Sequence, residues 1–158
     1  MAINRTWFNN LVDDDGSGTK GTIWNKTVIA GLLDSIDLMF GAGTWTPTDA
    51  SGAGLVLAGV GGRYIALGTG VLFVTAHFSY PTTSSPANAK IGGLPFPVGS
   101  AEGNDDALVL GYTNIGSPMS ILALGGSSTI GFFALDGTAK TNTHLSGKTF
   151  GIAGIYRG

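Results

Sequence analysis

The sequence predicts a mainly β fold: an antiparallel β-sandwich or jelly roll, preceded by one short N-terminal helix and an extended arm. Three observations carry this. From Gly43 onward apolar residues recur with a period of two. Clusters such as "YPTTSSP", "EGNDD", "NIGSP", "GGSS" and "LDGT" interrupt that period at short intervals, as turns do. Glycine supplies 27 of 158 residues while charged residues make up only 11%, a balance that suits a turn-rich β domain whose surface is partly covered by partner subunits.

Residues 1–21 are polar and irregular and read as an arm. A helical period begins at Thr22, which can cap it, and Ile29, Leu32, Ile36 and Met39 recur at i, i+3, i+7 and i+10. The "FGAG" at 40–43 ends it with the glycines that suit a helix C-terminus. The apolar stripe is narrow, of the coiled-coil kind, and Gly31 weakens the helix by about 1 kcal/mol relative to Ala. It therefore packs either on the β domain of its own chain or in an intersubunit bundle, and the spacing does not choose between them. Three segments result: an arm at 1–21, an oligomerisation helix at 22–42 and a β domain at 43–158.

Within the β domain, "VLFVTAHFSY" (71–80) places Leu72, Val74, Ala76, Phe78 and Tyr80 on one face, with Phe73, Thr75, His77 and Ser79 on the other. "ALVLGYTN" (107–114), "MSILAL" (119–124), "STIGFFAL" (128–135) and "KTFGIAGIY" (148–156) continue the style, with shorter candidates at 55–58, 63–67 and 89–94. That makes about eight strands. Several are apolar on both faces, "STIGFF" most of all, and a doubly apolar strand in an antiparallel sandwich requires a cover for its outer side. A symmetric oligomer supplies one.

Composition also excludes. With no cysteine there is neither a disulfide nor a thiolate zinc site. The eight Lys and Arg are scattered, which argues against a nucleic-acid partner. No signal peptide is expected from "MAINRTWFNN", and no apolar run is long enough to insert in a bilayer.

Three apparent motifs fail on context. "DDDGSG" (13–18) imitates a calcium loop, but its twelfth position is Trp24 where a bidentate Glu belongs. "GSGTKG" (16–21) has dinucleotide-binding spacing, yet "LVDDD" precedes it instead of a buried apolar strand. "SGKT" (146–149) lacks the first glycine of a P-loop and reads as a turn into the last strand. No G-x-S-x-G is present, and His77 and His144 have no local catalytic partners. Neither catalytic residues, nor a cofactor site, nor a metal site is predicted, so the protein is read as non-enzymatic. Glu102, Asn104, Asp105 and Asp106 in "SAEGNDD" could offer oxygens to sugar hydroxyls or a cation, although an exposed polar turn is their default reading.

Two segments together resemble a known group. "LVDDDGSGTKGTIWNKTVIAGLLDSID" (11–37) resembles the N-terminal connector of small tailed-bacteriophage virion proteins. "GVLFVTAHFSYPTTSSPANAKIGGLPFP" (70–97) is similar to the β domain of phage tail-fibre, head-fibre and related attachment proteins. The resemblance implies a homotrimer that resides on the virion after synthesis in the host cytoplasm. Its N-terminal segment would dock on other virion proteins, its β domain would face a host surface glycan, and the stripe Ile29, Leu32, Ile36 and Met39 would be the oligomer interface. Trp7 and Phe8 are the apolar anchors available for docking, or for packing on the chain's own body. The chain departs from the long-fibre pattern in having no shaft. Capsid decoration (a cement protein) therefore stands as an alternative, as does a carbohydrate-binding module in which Trp45, Tyr64 or Tyr112 stacks on sugar. In this reading the acid-glycine stretch 13–21 is a pliant, hydrated joint between arm and helix.

Overall fold

The computed structural model describes residues 41–68, 70–100 and 106–158. The arm with Trp7 and Phe8, the stripe Ile29, Leu32, Ile36 and Met39, and the loop residues Glu102, Asn104 and Asp105 lie outside the described residues.

The strands are β1 (Ala42–Trp45), β2 (Thr48–Asp49), β3 (Ala58–Ala66), β4 (Val71–Ser79), β5 (Lys90–Gly92), β6 (Asp106–Thr113), β7 (Ser120–Ala123), β8 (Thr129–Phe133) and β9 (Thr149–Arg157); one helical turn, α1 (Asn142–Leu145), precedes β9. The ladder begins at Ala42, one residue before the expected start of the β domain. Among the described residues all nine strands join one antiparallel sheet in the order β1-β3-β4-β9-β6-β7-β8-β5-β2.

The connectivity forces this sheet to curl. β1 and β2 stand at its opposite ends, yet only Thr46 and Pro47 separate them in the chain. Trp45 and Thr48, three residues apart, lie within about 11 Å, so the two ends must come together at that corner. Proline suits it, having no N–H to leave unpaired, and Pro47 is fully buried. Ring packing records the same curl. Phe78 of β4 meets Phe132 of β8 edge-on at 6.4 Å between centroids, although β9, β6 and β7 lie between those strands in the sheet. Phe150 of β9 stacks on Phe78 at 5.5 Å and reaches Phe132 at 5.5 Å. The ladder is continuous around the molecule, so the predicted sandwich takes the coarser form of a single curled antiparallel sheet.

The inward face follows the predicted alternation. Leu72, Val74, Ala76, Phe78 and Tyr80 are all buried, together with Ile121 and Ala123 of β7, Ile130 and Phe132 of β8, and Phe150, Ile152 and Tyr156 of β9. Size is matched across strands. The inward row at Trp45 runs Trp45, Gly62, Ala76, Ile152, Leu110. A Cβ at Gly62 would lie 2.5 Å from the indole nitrogen of Trp45, so that ring fits only over a glycine. The indole N–H donates to the Thr75 carbonyl at 3.2 Å, a backbone acceptor on β4.

Two bulges change which side chains face outward. In β6, Leu110 pairs with Ile152 and Tyr112 with Gly151, which leaves Gly111 as the extra residue. Simple alternation would send Leu108, Leu110 and Tyr112 to one face. The bulge instead turns Tyr112 out, away from the interior that Phe150 fills. In β3 the register shifts between Ala58 and Gly61. The last segment also matches its expectation: "SGKT" forms the turn into β9, with Gly147 at φ 66°.

Candidate functional site

Three features of the described surface bear on function: a polar chain under one end of the sheet, an outward apolar face, and a concavity beside β1.

The polar chain begins at Asp49 of β2. Its carboxylate accepts from the Ser51 hydroxyl and N–H and, at 3.0 Å, from the Leu55 N–H. Ser51 Oγ also accepts from the Asn142 side-chain amide at 2.9 Å, and Asn142 Oδ1 accepts from the Tyr80 hydroxyl at 3.5 Å. Burial pushes the Asp49 carboxyl upward, but the hydrogen bonds from Ser51, Leu55 and Gly54 outweigh it and hold it below the usual carboxylate range. Burial, with the Asp49 charge second, pushes the Tyr80 phenol well above its ordinary value. Every member has a partner. The chain ties the β2 loop, α1 and the end of β4 together, which is a structural task.

His144 is likewise structural. It sits in α1, where its Nδ1 accepts from the Thr141 N–H at 3.3 Å and lies 2.8 Å from the Thr141 hydroxyl, a capping arrangement at the first turn. Asp106 is the one member of the predicted ligand loop among the described residues. Its Oδ2 accepts from the Arg157 N–H at 2.8 Å, closing the end of β9 against β6. Nothing among the described residues assembles three or more His, Cys, Asp or Glu around a common point, and no described helix is long and apolar enough to cross a membrane.

The outward face of β3, β4, β9 and β6 is apolar over adjoining positions. Ile65 pairs with Phe73 and Phe73 with Ile155. In the next outward row Arg63, Thr75, Ala153 and Val109 stand side by side. Ile65 is 47% exposed, Ile155 52%, Val109 66% and Tyr112 61%. "STIGFF", which the sequence marks as the most doubly apolar strand, behaves differently. Its Phe133 folds over Gly131, where a Cβ would lie 2.8 Å from the ring, and Leu124 closes on the same glycine. That outer face is partly covered from within the chain.

The concavity lies where pairing of β1 with β3 ends at Trp45, and it encloses about 400 Å³. Arg63, His77, Thr44, Thr46 and Thr75 line it. The imidazole of His77 lies over Gly61, where a Cβ would sit 2.5 Å from the ring. Of the aromatic residues proposed to stack on sugar, Trp45 is buried with its N–H engaged and presents no face; Tyr64 packs edge-on against Phe96 at 5.9 Å; Tyr112 alone is well exposed. Sequence reasoning placed His77 on the outward face but missed this concavity. The cue was the "GVGGRY" run, whose Gly61 and Gly62 accommodate the rings of His77 and Trp45 beside it.

No family model matches the chain, and no curated protein or solved structure matches it either.

Proposed function

We propose that this chain is a non-enzymatic bacteriophage virion structural protein, a homotrimeric fibre or attachment protein docked by its N-terminal arm. In this reading its curled sheet acts as a jelly-roll sandwich, with β3-β4-β9-β6 as one wall and β7-β8-β5-β2 as the other. The observation that carries the reading is the outward apolar face of β3, β4, β9 and β6. Ile65, Phe73, Ile155 and Val109 occupy neighbouring outward positions, and contiguous apolar surface of this kind marks an interaction site. A second copy is its natural cover, because a net charge of −2 over 158 residues sets little repulsion between copies. The described chain enters β1 at Gly41, whose carbonyl accepts from the Ala66 N–H next to Ile65.

Sedimentation of the full chain tests the assembly. A trimer at micromolar concentration is expected; a monomer there removes the reading. Deleting residues 1–12 tests the arm: the truncated protein should fold but fail to enter virions, and undiminished incorporation would reject docking through Trp7 and Phe8.

A further inference from the structure

We infer that the concavity between β1, β3 and β4 is a binding site for an acidic sugar, a hydroxyl-rich ring bearing one carboxylate. The inference rests on the concavity itself, and it requires that a copy seated on Ile65, Phe73 and Ile155 leave the adjoining Arg63 and Thr75 open.

Its chemistry is selective for three reasons. First, the chain has only eight Lys and Arg and two His, yet one of each lines this single depression. Among the described residues Arg63 forms no ion pair and no Asp or Glu lines the site, so the described lining favours an anion. Second, a guanidinium presents a planar fork matched to a carboxylate, able to donate two parallel hydrogen bonds. Third, three threonines, Thr44, Thr46 and Thr75, line it. Hydroxyls that both donate and accept are what a polyhydroxylated ring requires, whereas a bare inorganic anion needs donors alone. The volume of about 400 Å³ falls in the range of small-molecule sites and admits one sugar ring.

Arg63, Thr75 and His77 stand on neighbouring outward positions of β3 and β4. The His77 ring settles over Gly61 and forms one wall. Arg63 and His77 are both exposed, so neither has to be drawn out of the interior to meet a ligand.

The test is a titration of the full chain followed by amide chemical shifts, with glucuronate, glucose and acetate as probes. Glucuronate should produce saturable shifts at Thr44, Gly61 to Arg63 and Thr75 to His77, while glucose and acetate at equal concentration should bind at least about tenfold more weakly. Equal responses to glucuronate and acetate would overturn the sugar-acid assignment, equal responses to glucuronate and glucose would overturn the anion assignment, and no saturable shift would overturn the site. Arg63→Gln should weaken glucuronate binding about tenfold or more, the loss of one charge-assisted contact. Lys90→Gln, on β5 and outside the concavity, should leave it unchanged. Unaltered binding by Arg63→Gln, or an equal loss in Lys90→Gln, would show that Arg63 does not hold the ligand.

Discussion

The outer side of β8 and the outer side of β9 are made from similar residues but end in different environments. On β8, Phe133 lies across Gly131 and meets Leu124, so the strand hides much of its own apolar surface. On β9, Ile155 has Phe73 beside it and nothing above it among the described residues, and half of its surface stays open. Apolar residues on both faces of a strand therefore do not identify an interface by themselves. A neighbouring glycine that lets a ring fold back can serve as well as a partner subunit. Where the outward neighbours are side chains of similar height, as in the row Ile65, Phe73, Ile155, the apolar surface of the sheet stays raised and exposed.

The largest effect should come from beneath both faces and sets the scale. Phe150 is fully buried and packs against Phe78, Phe132 and Tyr80, so Phe150→Ala should lower unfolding free energy by about 3–5 kcal/mol in urea. Phe133→Ala comes next. If β8 covers itself, losing that ring should cost about 1–2 kcal/mol in the isolated subunit, because a half-buried aromatic surface becomes wet. Ile155→Asp should cost the subunit less than about 0.5 kcal/mol, as surface changes do, while shifting sedimentation from trimer to monomer. An equal loss of subunit stability in Ile155→Asp and Phe133→Ala would erase the contrast, and would mean that residues outside the described part cover β9.

A smaller effect sharpens the comparison from the polar side. The Asp49 carboxyl is held below its ordinary value of 3.8 in the folded protein. A depressed folded value means that the unfolded chain binds the proton more readily, so this contribution is present above about pH 4 and is lost as pH falls through the folded value. Asp49→Asn should flatten that part of the stability profile in urea melts between pH 6 and pH 3, and leave the oligomeric state unchanged. An identical acid profile in the variant would show that other carboxylates govern acid unfolding.

Much of the sheet was legible because alternation is a local property. The 71–80 segment predicted its buried face residue by residue, and the later long strands fell within one to two residues of their expected ends. What escaped were features set by partners far along the chain. β1 and β2 are short, and only pairing with β3 and β5 makes them strands. The 55–58 segment looked like a strand by its apolar content, yet β3 starts at Ala58 because Leu55 is spent on the Asp49 loop. Tyr112 was chosen as exposed without the reason, which is the bulge at Gly111. α1 is a single turn held by Thr141 and His144, too short for any period to announce. The predicted ligand loop could be followed only at Asp106, whose carboxylate is committed to the Arg157 backbone.

The corner at Pro47 carries a consequence for how copies can meet. Because the chain steps from one rim of the sheet to the other within two residues, both terminal strands are short, four residues in β1 and two in β2, and each offers little border on which a further strand could be templated.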